Sequence, residues 1–599
     1  MLARVWVVMF VSGAVMLGAD PDGAALYQQR CAGCHEGKAQ PRMPARQDLA
    51  ARTPEAIYQA MFEGAMKTQA AGLSVAEGRA IARYVSAKDW GATAGAVSIQ
   101  NQSGKCAAAT GTVVVRTADW NGWGLDASNT RYQPSPGLTA AEVPQLKLKW
   151  AFAFAGDTVR SAQPAVVGGR VFMGSASGAV YSLDAATGCM YWKYDAGSMV
   201  RTAVSVGRAG ARTIAYFGDV KSTVHAVDAS TGELVWKLKV EDHPASRITG
   251  APTFYDGRVY VPVSSIEEAS AMGPAYECCK FRGSIVALDG ATGRQIWKTF
   301  SIVDEPKPYA KSSAGTQLWG PAGAAIWSSP TIDVKRKVVY AATGNSYSNV
   351  PTSTSDSILA FDLATGSLLW SKQVQEKDNF TMACGRGANC PAEAGPDHDF
   401  GTSPILRELP GGKRVLVCGQ KSGVVWGLDP DDRGKVLWQV RVGQGGPLGG
   451  IEWGPTADLE NAYVAVSDLL STGANRPGGL HAVKLATGEK VWSAAPAELH
   501  CTAGSKGCNS AQSAAISSMP GVVFSGSVDG HLRAYAVKTG EVIWDYNTAH
   551  EYETVNGVAG KGGSLDSAGP VIAGGMVFTN SGYGMWQGMA GNVLLAFGR

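Results

Sequence analysis

The sequence predicts an all-β propeller of eight blades preceded by a small all-α domain. Two observations predict this fold: a strand–turn–strand unit that recurs beyond Asp119, and a helical pattern confined to earlier residues. Four copies of the unit have the form Asp-x-x-Thr-Gly-x-x-x-Trp, three are looser and one keeps only the tryptophan; they end at Trp150, Trp192, Trp236, Trp297, Trp370, Trp438, Trp492 and Trp544. Eight units indicate eight blades over residues 119–599.

Each residue type in the repeat has a structural reason. The Asp and Thr side chains can close a turn through local hydrogen bonds, the Gly accepts a positive φ, and the Trp buries a large ring between blades. The tryptophans are unevenly spaced, which predicts loop insertions on one face of four-stranded blades. Because an open sheet edge is unfavourable, we expect the final strand, residues 592–597, to pair with the first strands and close the ring.

The N-terminus has the pattern of a signal peptide. Arg4 precedes an apolar run over residues 5–17, and Ala19 offers a small residue for cleavage. This run is shorter than the roughly 20 residues that a membrane span needs, although a retained anchor is the alternative. We therefore assign residues 1–19 to a signal peptide and expect a soluble periplasmic protein with no stable membrane span.

The sequence Cys31-Ala32-Gly33-Cys34-His35 is typical of covalent haem c attachment. Two thioethers, to Cys31 and Cys34, would hold the porphyrin, and His35 would be the proximal iron ligand. A thioredoxin-type motif or half of a zinc site has the same cysteine spacing. Neither is favoured, because no βαβ pattern surrounds the motif and no second Cys-x-x-Cys follows.

The predicted cytochrome c domain covers residues 20–90. Residues 54–61 and 74–85 have the apolar spacing of amphipathic helices, and Ser74 begins the second with a capping box. Residues 91–118 are rich in Ala, Gly, Ser and Thr and are interpreted as a linker.

A methionine is the expected distal haem ligand. Met66 lies in the loop before the last helix, where a small cytochrome c places its sixth ligand, and Met43 and Met61 are the alternatives. A thioether ligand raises the potential of the iron, which suits an electron acceptor rather than a catalyst.

Composition excludes several other functions. The net charge is +3 and only 17% of the residues are charged, so we expect no nucleic-acid partner. No Gly-rich fingerprint opens a βαβ unit, which argues against a nicotinamide cofactor.

The cysteine count fits an exported protein with disulfides. Of 11 cysteines, two on haem would leave nine, and the odd number requires one leftover thiol. Short separations predict the pairs Cys384–Cys390, Cys501–Cys508 and Cys278–Cys279, and leave Cys106, Cys189 and Cys418 unassigned.

The adjacent pair is unusual. Neighbouring Cα atoms across a trans peptide lie about 3.8 Å apart, below the usual disulfide range of about 4.4 to 6.8 Å. A bridge between Cys278 and Cys279 would therefore form a strained eight-membered ring, which implies a purpose. The alternatives are pairing elsewhere, or a ring that only stiffens its loop.

The repeated unit and the segment from Trp123-Gly124 to Arg131-Tyr132 resemble the eight-bladed propeller of alcohol dehydrogenases that depend on pyrroloquinoline quinone (PQQ). The resemblance covers about 480 residues. A cytochrome before the propeller, together with Tyr276-Glu-Cys-Cys-Lys-Phe-Arg-Gly283, most resembles the polyvinyl alcohol dehydrogenases. Quinohaemoprotein alcohol dehydrogenases usually carry the cytochrome after the propeller.

The resemblance implies a calcium ion and a catalytic base. Asn345 matches the asparagine that binds calcium, and Glu268, or its neighbour Glu267, matches a glutamate ligand. Asp378 matches the catalytic aspartate, which also contacts the metal, and Asp397 and Asp399 are the alternatives, a little later in the chain. Oxygen ligands of these types suit calcium.

The resemblance also implies PQQ contacts. Trp327 matches the tryptophan that stacks on the quinone, and the adjacent cysteines match a ring on its other face. Lys421 matches the basic residue near the quinone carbonyls, and Thr249 and Arg201 are placed to contact the three carboxylates.

The function implied is oxidation of secondary hydroxyl groups of polyvinyl alcohol to ketones. Asp378 would accept the hydroxyl proton, calcium would act as a Lewis acid, and electrons would pass from PQQ to haem c and then to a soluble cytochrome c or similar acceptor. The alternatives are a dehydrogenase for small secondary alcohols and, from another class, a non-catalytic propeller binding module attached to an electron carrier.

Overall fold

The computed structural model describes residues 21–36, 46–50, 54–62, 66, 69–87, 104–107, 111–470, 476–499 and 506–599. The chain divides into two compact units, Met1–Asn101 and Gln102–Arg599. Met43 and Cys501 lie outside the described residues, as do residues 1–20 and most of the predicted linker.

The first unit is helical, as predicted. Its described helices are α1 (Gly23–Arg30), α2 (Ala32–His35), α3 (Arg46–Ala50), α4 (Pro54–Phe62) and α5 (Val75–Ser86). The predicted capping box at Ser74 is present: the Ser74 hydroxyl accepts the Glu77 N–H, and the Glu77 carboxylate accepts the Ser74 N–H. Tyr27, Met61 and Ile81 are buried in the core of this unit. Among the described residues, no helix is both long and apolar enough to cross a membrane.

The second unit is a ring of antiparallel sheets, and its first strand, β1 (Lys147–Ala153), belongs to the last blade. Blade 1 contains β2 (Ala165–Val167), β3 (Arg170–Gly174), β4 (Ala179–Asp184) and β5 (Met190–Asp195). Blade 2 contains β6 (Ser205–Ala209), β7 (Arg212–Gly218), β8 (Thr223–Asp228) and β9 (Leu234–Lys239). Blade 3 contains β10 (Ser246–Arg247), β11 (Thr253–Tyr255), β12 (Arg258–Ser265), β13 (Ser284–Asp289) and β14 (Gln295–Phe300), with the short helix α6 (Glu267–Ser270) after β12.

A hairpin, β15 (Lys307–Lys311) and β16 (Gln317–Gly320), separates blades 3 and 4. Blade 4 contains β17 (Thr331–Asp333), β18 (Val338–Ala342), β19 (Ser357–Asp362) and β20 (Leu368–Gln373). Blade 5 contains β21 (Ile405–Glu408), β22 (Arg414–Gly419), β23 (Val424–Asp429) and β24 (Lys435–Arg441). Blade 6 contains β25 (Thr456–Ala457), β26 (Asn461–Ala465), β27 (Leu480–Lys484) and β28 (Lys490–Ala494).

Blade 7 contains β29 (Ser517–Met519), β30 (Val522–Gly526), β31 (His531–Ala536) and β32 (Val542–Asn547). After a hairpin of β33 (Glu551–Tyr552) and β34 (Gly560–Lys561), blade 8 contains β35 (Val571–Ala573), β36 (Met576–Ser581) and β37 (Val593–Gly598) together with β1. The described residues therefore form the eight blades that the repeat predicts. Strands β1 and β37 pair antiparallel, with Trp150 opposite Ala596, which confirms the predicted ring closure.

The repeat works as its residue types predict. In the first copy, the Asp184 carboxylate accepts the N–H and hydroxyl of Thr187, and Gly188 has φ +75°. The tryptophan of the preceding unit packs on this turn: a Cβ on Gly188 would lie 2.7 Å from the Trp150 ring. The indole N–H of Trp150 also donates to Ala185 O at 3.1 Å. Trp150 thus joins blade 8 to the turn of blade 1, and Trp192, Trp236 and Trp297 pack in the same way on the turn glycines of blades 2, 3 and 4.

The disulfides resolve part of the cysteine assignment. Cys384–Cys390 and Cys278–Cys279 are bonded as predicted, and Cys508 is also disulfide-bonded. Cys106 and Cys189, which the sequence left unassigned, form a third described bridge, and Cys418 is a buried free thiol. Cys106 belongs to the predicted linker, so this bridge fastens part of that segment to blade 1.

Candidate cofactor and active site

The haem motif forms a helical turn in the first unit. The backbone N–H of His35 donates to Cys31 O at 3.1 Å, and the His35 side chain is buried. Cys31 and Cys34 are free thiols in the described structure. Met66 is half-buried at the edge of the hydrophobic cluster that Cys31 also borders, whereas Met61 is buried within it. Two free thiols beside a histidine fit a covalent haem, and Met66 lies against the same cluster as Cys31.

In the propeller, three neighbouring blades place polar side chains at one end of the ring. Glu268 follows β12 of blade 3, Asn345 follows β18 of blade 4, and Lys421 follows β22 of blade 5. Equivalent strands of successive blades run in the same direction, so the residues that follow them meet at the same end. The long segment between β20 and β21 brings Asp399 to this position.

Asp399 is held between Lys421 and Asn345. The Lys421 ammonium donates to Asp397 Oδ1 and Asp399 Oδ2, each at 3.2 Å. The Asn345 backbone N–H donates to Asp399 Oδ1 at 2.7 Å. Gly344 permits this approach, because a Cβ there would lie 2.7 Å from Asp399 Oδ1.

The side chain of Asn345 is fixed in one orientation. Its Nδ2 donates to Ser346 O at 2.8 Å and to Phe380 O at 2.9 Å. These two bonds identify Nδ2 as the donor end, so the carbonyl Oδ1 is the free acceptor of this buried amide. An amide oxygen held in this way is a suitable ligand for a hard cation.

Asp378 has a different environment. It is fully buried, and its carboxylate accepts the N–H groups of Asp397 at 2.9 Å and His398 at 2.6 Å. Burial raises the pKa of Asp378, and the two backbone N–H groups oppose that shift. Both oxygens of Asp378 therefore hold the loop that carries Asp397 and Asp399, and it is Asp399 that contacts Asn345 and Lys421.

The two adjacent glutamates face different surroundings. Glu267 is buried and accepts the Tyr276 hydroxyl at 2.9 Å and the Lys280 and Phe281 N–H groups at 2.8 Å. It therefore holds the loop with the adjacent cysteines. Glu268 is half-buried; burial and the charge of Asp399 raise its pKa to about 7, against the opposing effect of Lys421.

This end of the ring holds more acidic than basic side chains. Besides Glu268, Asp397 and Asp399, the carboxylate of Asp356 is buried, and neither of its oxygens has a hydrogen-bond partner in the described part of the chain. Burial, with the charges of Asp378 and Asp399, holds the pKa of Asp356 well above its ordinary value. A bound cation would offset this repulsion.

The oxygen atoms available at this position, one from an amide and the others from carboxylates, fit a calcium ion. Among the described residues, no three His, Cys, Asp or Glu side chains gather as a metal site. An ion here would therefore need the Asn345 amide oxygen in addition to the carboxylates of Glu268 and Asp399, which is the all-oxygen set that calcium prefers.

A flat aromatic surface lies beside the acidic cluster. Trp327 is half-buried, its ring stands perpendicular to that of Trp453 with centroids 5.3 Å apart, and Lys421 Nζ lies 5.5 Å from the Trp327 ring centroid. Trp327 also packs against the hydrophobic cluster that contains Cys278 and Cys279. Its ring and the cysteine ring thus border one apolar region, which fits a stacked tricyclic quinone.

Two arginines provide positive charge for an anionic ligand. The guanidinium of Arg201 lies 4.9 Å from the Trp453 ring centroid, and neither it nor that of Arg247 donates a hydrogen bond to any described residue, although Asp566 and Glu452 are close enough to affect the pKa of Arg201. Burial lowers the pKa of both, and in Arg247 the charge of Arg201 adds to the effect. Thr249 is nearby in sequence, but its hydroxyl is hydrogen-bonded to Ser264 at 2.7 Å. Unpaired guanidinium groups fit the carboxylates of PQQ.

Arg247, Trp453 and Asp356 were not found from the sequence. None lies in a local motif, and each gains its role from residues far away in the chain. The only available signal was the position of Arg247 two residues before the predicted Thr249.

Comparisons with known proteins agree with this site. Residues 120–383 match the β-propeller domain of glucose, ethanol and alcohol dehydrogenases that use PQQ, and residues 18–85 match the cytochrome c family of cbb3-type oxidase subunit III. The solved quinohemoprotein alcohol dehydrogenase ADHIIG of Pseudomonas putida HK5 has the same fold, with a TM-score of 0.61, 19% identity and 80% of each chain covered. These matches define the class: a PQQ-dependent alcohol dehydrogenase with its own cytochrome c domain.

Two relatives are similar over nearly the whole chain. The polyvinylalcohol dehydrogenase of a Pseudomonas species is 44% identical, covering 98% of this chain and 97% of that protein. The polyvinylalcohol dehydrogenase of Sphingopyxis sp. strain 113P3 is 41% identical, covering 98% and 94%. The chain belongs to the polyvinyl alcohol dehydrogenase family.

Proposed function

We propose that this enzyme oxidises the secondary hydroxyl groups of polyvinyl alcohol to ketones. The observation that carries the proposal is the 44% identity, over nearly the full length of both chains, to a polyvinylalcohol dehydrogenase. The arrangement of Asp399, Asn345 and Lys421 supports it, because it offers a carboxylate, a cation ligand and a charged donor at one place.

The chain's own residues are assigned to the two cofactors of the propeller. Glu268, Asn345 and Asp399 would hold calcium, which supplies a Lewis acid when bound. Trp327 and the Cys278–Cys279 ring would hold PQQ, and Lys421, Arg201 and Arg247 would be its polar contacts. When bound, PQQ supplies the two-electron acceptor for the carbinol hydrogen.

Asp399 is the proposed base that accepts the proton of the substrate hydroxyl. Asp399 contacts Asn345 and Lys421, the residues proposed to meet calcium and PQQ, whereas the carboxylate of Asp378 accepts two backbone N–H groups of the loop that carries Asp397 and Asp399. Asp378 is therefore proposed as a positioning residue for the loop with Asp397 and Asp399.

Electrons are proposed to reach the haem held by Cys31, Cys34, His35 and Met66, and then a soluble cytochrome c. We place the enzyme in the periplasm, with residues 1–19 as the signal peptide, residues 20–90 as the cytochrome domain and residues 91–118 as the linker. The haem motif and the disulfides are typical of an exported protein.

The substrate can be tested by product analysis. The enzyme reconstituted with PQQ and calcium should form ketone carbonyls on polyvinyl alcohol, detected with a hydrazine reagent, while reducing an artificial electron acceptor. Oxidation of 2-pentanol without any oxidation of the polymer would instead favour the dehydrogenase for small secondary alcohols.

A further inference from the structure

A second cavity lies among the loops of blades 5 to 8. It has a volume of about 20 Å³, which is room for about one water-sized group, and mixed walls. Glu452, Asp566 and Tyr583 supply carboxyl and hydroxyl groups, while Leu448 and Trp586 supply apolar surface. None of these five residues was assigned to calcium, PQQ or haem.

Trp453 connects this cavity to the proposed quinone site. One edge of its ring meets Trp327, with centroids 5.3 Å apart, and its indole N–H donates to Asp566 Oδ1 at 2.9 Å. Lys421 and Asp399 are also close enough to Glu452 to affect its ionisation. A molecule that reacts beside Trp327 could therefore extend into the cavity past Trp453.

The polar groups of the cavity have unused hydrogen-bonding capacity. Glu452 Oε2 is buried and, among the described residues, has no partner. Burial raises the pKa of Glu452 to about 8 and that of Asp566 to about 6. The raised pKa values favour the protonated form of both carboxyl groups, most strongly in Glu452, and a protonated carboxyl group can donate as well as accept.

The mouth of the cavity has an exposed apolar rim. Trp586 is 45% exposed, and Met585 beside it is 44% exposed. Trp586 also has φ +45° and Gln587 φ +67°, in the left-handed region that non-glycine residues seldom adopt. Such backbone strain persists where the surrounding structure requires it, and it is concentrated at binding sites.

We propose that this cavity is a substrate subsite that binds a second, non-reacting hydroxyl group together with the methylene groups beside it. The ligand class is a chain in which CH₂ and CHOH alternate, so that Trp586 and Leu448 contact methylenes while Glu452 and Asp566 bond the hydroxyl. The inference rests on the proposed function, because such a chain is the repeating structure of polyvinyl alcohol.

Matched alcohols test the subsite in the PQQ- and calcium-loaded holoenzyme. 2-Pentanol has one hydroxyl, whereas 2,4-pentanediol adds a second at the spacing found in the polymer. The unmodified enzyme should have a lower KM for the diol. Glu452→Leu and Trp586→Ala should each raise KM for the diol and the polymer about tenfold relative to KM for 2-pentanol. Glu452→Gln should keep most of the KM difference between the diol and 2-pentanol, because an amide can both donate and accept a hydrogen bond.

Controls separate this role from others. Leu459 is an exposed apolar residue in the turn between β25 and β26 of blade 6. Leu459→Ala should change neither KM for the diol nor KM for 2-pentanol. An equal change of KM for both small alcohols would overturn the proposal, as would a loss of PQQ affinity in a reconstitution titration, which would assign the cavity to the cofactor. If Glu452→Leu fails to fold, Trp586→Ala on the rim decides the question.

The substrate proposal can fail separately. If the unmodified enzyme oxidises the two small alcohols but not the polymer, the polymer assignment is wrong, while the preference for diol over mono-alcohol still tests the subsite.

Discussion

At the scale of single residues, Lys421 is central to the charge balance of the site. It is buried, and its ammonium bonds both Asp397 and Asp399. Burial alone would lower the pKa of Lys421, but the two carboxylates outweigh burial and hold it well above its ordinary value. Removing one partner of such a buried group leaves charges without compensation, which is strongly unfavourable.

Replacing this cation should therefore disable the enzyme. We expect Lys421→Met to lower kcat/KM of the reconstituted enzyme by about 100-fold or more, because a preorganised charged donor is lost. Steady-state kinetics with 2-pentanol measures the effect. Lys435→Met is the matched control, since Lys435 is exposed and pairs only with Asp432 at the surface. An unchanged kcat/KM in Lys421→Met would contradict the assignment.

Asp399 and Asp378 should respond differently to the same substitution. Asp399→Asn is expected to lower kcat by about 100- to 10,000-fold, as for loss of a general base. Asp378→Asn is expected to lower the free energy of unfolding by about 1–3 kcal/mol, because an amide cannot accept both backbone N–H groups. Measuring kcat and chemical unfolding of both variants checks the pair. The account is wrong if Asp378→Asn has the larger effect on kcat and unchanged stability.

At the scale of elements, the blade unit is encoded locally. Asp, Thr, Gly and Trp stand at fixed spacing within one turn and one strand, so the repeat was visible in the sequence and the structure confirms its role. The final strand also closes the ring as predicted. The Cys106–Cys189 bridge joins residues 83 positions apart, and no local pattern could predict it.

The contact between a tryptophan and the next turn can be measured with two glycines. Gly293 and Gly257 both have φ +74°, but a Cβ on Gly293 would lie 2.7 Å from the Trp236 ring, whereas a Cβ on Gly257 would meet nothing within 4 Å. Gly257→Ala should lower the free energy of unfolding by about 1–2 kcal/mol through its left-handed backbone alone. Gly293→Ala should lower it by a further 1–3 kcal/mol or so through overpacking.

Chemical unfolding followed by tryptophan fluorescence compares the two variants directly. Because the two glycines have the same φ, the difference between the variants reports mainly the packing of Trp236 between blades 2 and 3. Equal losses in the two variants would show that this packing contributes nothing to stability.

At the scale of the whole molecule, the site depends on contacts that sequence spacing cannot show. Lys421 reaches aspartates 22 and 24 positions earlier, and Trp453 contacts Trp327 from two blades away. The residues proposed to hold calcium and PQQ therefore came from the resemblance rather than from spacing. The choice of Asp399 over Asp378, the Arg247 guanidinium and the Glu452 cavity required the folded ring.

The ring also explains why one chain can combine the two cofactors. The propeller gathers the residues proposed to hold PQQ and calcium from blades 2 to 5, while the helical unit holds the haem motif on its own core. The central claim is that electrons removed from a polymer hydroxyl pass through PQQ to this haem.

Anaerobic mixing of the oxidised holoenzyme with polyvinyl alcohol tests that claim most directly. We expect the reduced haem spectrum to appear when PQQ and calcium are bound, and not when PQQ is omitted. Haem that stays oxidised while ketones form on the polymer, or haem that is reduced equally without PQQ, would contradict the account.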